Sequence, residues 1–126
     1  MAHWLLKTEP SEYSWERLER EGKATWDGVA NPVAVRNLKS ARKGDEVVVY
    51  HTGDVKAAVG VAEVTREDPA SGLIEIAARR KLSAPVTLAA LKADKLFADS
   101  PLVRQGRLSV VPLSDAQYER IISTGG

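Results

Sequence analysis

Apolar and polar positions alternate along this chain in short blocks. Residues 3–7 are an apolar run carrying an indole and read as a strand; Thr8-Glu9-Pro10 ends it, because Pro10 lacks the N–H a ladder needs. Residues 15–21 put Trp15 and Leu18 on one helical face, with Ser14 as N-cap and Gly22 as stop. Residues 23–26 read as a short strand. Asn31-Pro32 is a strong helix start, since Asn caps and Pro at the first helical position loses no hydrogen bond. Val35 and Leu38, with Ala34 and Ala41, then recur at helical spacing on a core side.

The middle of the chain changes period. Lys43-Gly44-Asp45 is a turn, and 46–51 is a β-branched apolar run read as a buried strand. Thr52-Gly53-Asp54 turns back into a second strand over 56–66, where Gly60 marks a bend, bulge or close approach. After a turn over 68–72, residues 73–80 give a third strand, so three strands form a meander. Thr87 caps a helix over 88–93, residues 96–101 read as irregular, and 107–112 as a last strand. Ser114 and Gln117 make a capping box for a helix over 115–123, with Leu113, Tyr118, Ile121 and Ile122 buried. Five to six short strands and four short helices in one domain, 1–126, predict an α+β fold with a small curled sheet or barrel. Alternating βαβ units are absent, which excludes a doubly wound sheet.

Composition narrows the class. With 126 residues, 44% hydrophobic and 28% charged, the chain suits one soluble globular domain with a real core. No apolar run approaches the ~20 residues of a membrane helix. Lys7 and Glu9 interrupt any signal-peptide pattern at the start. The absence of cysteine removes disulfides, thiolate metal sites and Cys nucleophiles, and fits a cytoplasmic setting. A net charge of +1 gives no bulk attraction for nucleic acid, so such a contact needs a local basic patch.

The candidate chemistry is sparse. No nucleophile elbow, phosphate loop, zinc-helix motif or dinucleotide fingerprint is present. His51, at a strand end, reads first as a partly buried imidazole bonding a backbone carbonyl and second as a general base; His3 reads as exposed near the terminus. Glu9 and Asp27 form a possible carboxylate pair, or are turn residues bonding local N–H groups. Trp4, Trp26 and Tyr50 fall near strand ends. Trp4 reads as core. Trp26, between Thr25 and Asp27-Gly28, divides between half-buried ring and pocket wall, where an indole stacks on a planar ligand. Basic residues gather as Arg36-Lys39-Arg42-Lys43, Arg79-Arg80-Lys81 and Arg104-Arg107; the last pair, bracketing Gln105-Gly106, suits phosphate or carboxylate recognition.

Taken in order, several short motifs carry a resemblance over essentially the whole chain. They are W-L-L-K-T-E-P (4–10), W-D-G-V (26–29), the Asn31 start, K-G-D (43–45), Y-H-T (50–52), G-V-A-E-V (60–64), R-K-L (80–82), P-V-T-L-A-A-L-K (85–92) and P-L-V-R-Q-G-R-L-S-V (101–110). Each is short; the ordered set resembles the EVE domain family, the thymocyte-nuclear-protein-like branch of the PUA-like group.

The resemblance implies a PUA-like β-pseudobarrel of five to six strands with flanking short helices. It implies a binding module for DNA or RNA rather than an enzyme, with no cofactor, metal or membrane partner. Its pocket would hold a modified or flipped base, methylated cytosine first. Carried over by position, Lys7, Thr8, Trp26, Asn31, Tyr50, His51, Thr52, Leu108 and Ser109 would meet the base. Arg36, Arg104 and Arg107 would meet the backbone. The family pattern Arg-Asn-x-Gln-Ala-Arg-Asn after the W-D-G-V turn reads Ala30-Asn31-Pro32-Val33-Ala34-Val35-Arg36 here, keeping only Asn31 and Ala34. The segment 67–73 is also shorter than in many relatives. A second reading, from another class, is a small-ligand or nucleotide sensor, or hydrolase-like pocket, centred on His51 with Glu9 or Asp27.

Overall fold

A computed structural model describes residues 2–27 and 29–126; Gly28, within the expected turn at 26–29, lies outside the described residues. In chain order the elements are β1 (His3–Thr8), α1 (Trp15–Glu21), β2 (Lys23–Trp26), α2 (Pro32–Ser40), β3 (Glu46–His51), β4 (Ala57–Asp68) and β5 (Leu73–Thr87). Then follow α3 (Leu88–Ala93), a 3-10 turn (Lys95–Phe97), α4 (Pro101–Arg104), β6 (Val110–Leu113) and α5 (Asp115–Gly125). No helix among the described residues is long and apolar enough to cross a membrane.

The six strands make one mixed sheet in the order β2-β5-β4-β3-β1-β6, with β2 and β6 at its ends, so the curled sheet is not closed. The meander β3-β4-β5 is antiparallel as expected. β1 joins β3 in parallel, because the intervening segment carries α1, β2 and α2 across before the chain returns. That parallel pair sets Lys7 beside Tyr50 and Thr8 beside His51 at its C-terminal end.

The core fills the concave side. Leu5, Leu6, Val47, Val48, Val49, Val64 and Ile76 contribute from strands; Trp15, Leu18, Phe97, Leu102 and Ile121 from helices and turns. Trp15 is fully buried, and its indole lies directly over Gly60, where a Cβ would stand 2.5 Å from ring carbons. Close approach is therefore the reason for that glycine, and a register shift beside it bends the strand pair. Trp4 is core, with its Nε1–H donated to the buried Asp45 carboxylate at 3.0 Å. Asp45 also accepts from the N–H groups of Ala2 and Arg42, which closes the turn ahead of β3.

Several expectations need correcting. The strand expected over 73–80 runs to Thr87: between Lys81 and Val86 its partner shifts only from Gly60 to Ala58, so Pro85 sits in an irregularity where no ladder N–H is required. The span 96–101, read as irregular, holds the end of the 3-10 turn and the start of a fifth helix, α4, capped by the Ser100 hydroxyl on Leu102 N–H. β6 begins at Val110, not 107, so Leu108 and Ser109 precede it. His3 is not exposed. Its side chain is 11% exposed, stacks on Tyr118 at 4.2 Å between centroids, and lies 3.1 Å from Glu46 and 3.0 Å from Asp115.

Candidate functional site

Where β1 and β2 end, the chain leaves a pocket of about 400 Å³. Three segments build it. Lys7, Thr8 and Glu9 come from the end of β1, Glu12 and Tyr13 from the turn behind Pro10, and Thr25 to Ala30 from the end of β2, with Ser109 closing one side. The turn is held locally: the Glu9 carbonyl accepts from the N–H groups of Glu12 and Tyr13, and the Thr8 hydroxyl donates to the Tyr13 carbonyl at 2.7 Å. Lys7 N–H donates to the Ser109 carbonyl at 2.9 Å, tying the loop before β6 to β1.

Two rings meet at a corner. Tyr13 stands edge-to-face with Trp26 at 6.1 Å and 86°. Trp26 is 8% exposed, so it forms a floor rather than an open stacking platform. Tyr13 is braced from behind. Its hydroxyl donates to Glu21 at 2.7 Å, and the Arg17 guanidinium lies 4.9 Å from its ring centre. Desolvation, then the bond to Glu21, pushes the phenol up to about 12, so it remains a neutral donor.

The lining is acidic. Glu9, Glu12 and Asp27 face a single cation, Lys7. Burial holds the Lys7 ammonium below the usual lysine range. It donates to the Gly106 carbonyl at 2.9 Å and lies 5.7 Å from the Tyr50 ring centre. Glu9 is steadied by the Thr52 hydroxyl at 3.3 Å. Gly53, at φ +72°, lets the carboxylate approach to where a Cβ would be 2.8 Å away.

Of the residues singled out in the sequence, Lys7, Thr8, Trp26 and Ser109 line this pocket, as do both members of the Glu9/Asp27 pair. Tyr50 and Thr52 line a second cavity on the other side of Lys7. Asn31 is exposed, and its side chain is engaged as the α2 cap on the N–H groups of Val33 and Ala34. Leu108 is core. Arg36, Arg104 and Arg107 are exposed, and Arg104 is engaged with Asp99 at 3.0 Å and the Ala98 carbonyl.

His51 lines none of the cavities described here and is 5% exposed. Its Nε2 accepts the Trp15 N–H at 2.9 Å, the reverse of the expected bond to a carbonyl. Desolvation lowers its pKa, against the pull of Glu16 and Glu9 and with a small push from Lys81, which suits that accepting role. Glu12 and Tyr13 escaped the sequence reading. The available signal was an aromatic just before the Ser14 cap, in a turn that Pro10 sends back toward β1.

Comparison with known proteins places this arrangement. A family model described as "EVE domain" matches residues 2–124. The solution structure of Rpa0253 from Rhodopseudomonas palustris is similar at 39% identity and a TM-score of 0.91, covering 100% of this chain and 94% of that one. Human thymocyte nuclear protein 1 is 25% identical over 164 residues, 97% of this chain and 73% of its own length. A crystal structure of human THYN1 in complex with 5-methylcytosine-containing DNA shares the fold at 21% identity and a TM-score of 0.90, covering 99% and 98%. An ASCH structure from Zymomonas mobilis shares it at 12% identity and 0.64, covering 98% and 96%, which makes the fold PUA-like.

Proposed function

This chain belongs to the EVE domain family, and we propose that it is a nucleic-acid-binding module that takes one extruded base into the pocket at the ends of β1 and β2. The observation that carries the reading is the pocket's make-up: an aromatic corner with a rim of hydrogen-bonding groups, open to solvent, in a fold shared with a protein solved on 5-methylcytosine DNA. An extruded base needs a planar apolar wall and partners for its Watson–Crick edge. Trp26 and Tyr13 supply the wall; Thr8, Ser109 and the carboxylates supply partners.

The acidic lining sharpens this. Carboxylates accept from the exocyclic amine of cytosine and repel phosphate. A base enters and its backbone stays outside, where Arg36 and Arg107 are exposed and paired with no carboxylate among the described residues. Cytosine, methylated or not, offers the amine; uracil and thymine offer a carbonyl there. The binding role also accounts for a pocket without a nucleophile–base pair. His51 is buried and bonded to Trp15, so the geometry gives no support to a reaction centred on it.

The test is a binding screen of DNA and RNA oligonucleotides, with and without 5-methylcytosine, against wild type and Trp26→Phe at low salt. The reading expects binding by wild type that weakens in the variant. Equal binding by both proteins, or binding to none, overturns it.

A further inference from the structure

Lys7 separates two cavities of opposite character. The second, about 170 Å³, is lined by Lys7, Tyr50, Thr52, Lys56, Leu88 and Lys92 among others, and no carboxylate lines it. It continues into a groove of about 360 Å³ that shares Lys56, Leu88 and Lys92. In a chain of net charge +1, three ammonium groups on one small cavity are a local concentration of positive charge. Among the described residues, Lys56 and Lys92 are paired with no carboxylate, whereas Lys23 and Lys81 both are.

The backbone places these lysines deliberately. Lys56 has φ +47°, the only non-glycine residue in the left-handed region among those described. A lysine there costs backbone strain that glycine would avoid, and such strain gathers at binding sites. The turn is fixed by the Lys56 carbonyl, which accepts the Leu88 N–H at 2.8 Å and so ties the β3–β4 connection to the start of α3. Lys92 stands on that helix. Lys7 gives one hydrogen to Gly106 and keeps two for a ligand.

We propose that this cavity is a phosphate-binding site, with Lys7, Lys56 and Lys92 as its cations. The phosphate has two sources: the nucleic-acid backbone beside a base held on the other side of Lys7, or a free phosphate ester. Only the first source rests on the reading of the base pocket. Because Lys7 lines both cavities, a single nucleotide can place its base in the acidic one and its phosphate in the basic one.

The test has two arms, read on wild type, Lys56→Gly and Lys92→Gln. Lys56→Gly removes the ammonium while relaxing the backbone, so thermal unfolding should show it folded and any loss of binding is not a folding defect. In the first arm, inorganic phosphate is titrated against labelled protein by amide NMR at constant ionic strength. Saturable shifts around Lys56 and Lys92 are expected in wild type and not in the variants. In the second arm, affinity for a single-stranded 5-methylcytosine oligonucleotide is followed against salt. Each lysine that meets the backbone contributes about 0.7 to the slope of log K on log salt, which its variant should lose. A change in the second arm supports the backbone as source, and a change in the first arm alone supports a free ester. No change in either arm overturns the proposal. If no oligonucleotide binds, the base-pocket reading fails and the phosphate arm decides this one alone.

Discussion

The Lys7 ammonium donates to the Gly106 carbonyl at 2.9 Å, joining positions 99 residues apart, and that bond is the partition between the acidic and the basic cavity. One side chain thereby belongs to both. Lys7→Met removes the charge and opens the partition while keeping most of the stem packed. Oligonucleotide affinity should fall about tenfold, the effect of losing one charge-assisted contact of roughly 1.5 kcal/mol. Stability should change by less than about 1 kcal/mol, because the bond is exposed. Isothermal titration and urea unfolding of the same variant check both halves.

The three carboxylates lining the base pocket give a discrimination that stacking alone would not. Oligonucleotides differing only by cytosine or uracil at the bound position should differ in affinity by tenfold or more, within the ~1–3 kcal/mol of a good edge contact. The double variant Glu12→Gln with Asp27→Asn should narrow the gap. Competition fluorescence polarisation measures it; equal affinities for the two bases would mean that the carboxylates read nothing.

Gly60 is held by Trp15. A methyl group on Gly60 would sit 2.5 Å from the indole, and the ring is fully buried with no room to retreat. Gly60→Ala should cost about 2–3 kcal/mol, the scale of overpacking a tight core. Denaturant midpoints should fall with an unchanged m-value.

His51 makes stability depend on pH. Burial lowers its folded-state pKa below the ordinary 6.5, so the unfolded chain binds the proton more readily. Its contribution is complete above 6.5 and is lost as pH falls from there toward the folded-state value. Wild type should therefore lose stability on acidification through that window. His51→Gln, whose amide oxygen still accepts from the Trp15 N–H, should show a shallower loss. Parallel slopes in thermal unfolding at pH 7 and pH 5 would contradict this.

Much of the fold was legible because its signals are local. Ser14, Asn31, Thr87 and Ser114 all cap the helices expected of them, each accepting a backbone N–H. The β3-β4-β5 meander follows from β-branched runs and glycine turns. β5 looked shorter because Arg79-Arg80-Lys81 breaks the apolar pattern. On the sheet those side chains reach Glu63, the Gly126 carbonyl and Glu16 while the backbone continues in the ladder. α4 carried its own signal, Ser100 before Pro101, in a segment too short to show a period.

The site was only half legible, for a related reason. Lys7, Thr8 and Trp26 are strand ends, which a pattern locates. Glu12 and Tyr13 reach the pocket through a turn held by Thr8 and by the Glu9 carbonyl, and no sequence spacing encodes that. Pairings such as His3 on Tyr118 span the whole chain and follow only from the sheet order that sets β6 and α5 beside β1.

Extrusion of a base into the Trp26–Tyr13 pocket is tested most directly by removing that base. A single-stranded oligonucleotide with one central 5-methylcytosine is compared with the same strand carrying an abasic site there, so charge and length are constant. A stacked, edge-bonded base should make the first strand bind at least tenfold tighter, at the lower range of the ~1–3 kcal/mol that stacking supplies. That advantage should shrink in Trp26→Phe. Equal affinity for the two strands would contradict the account.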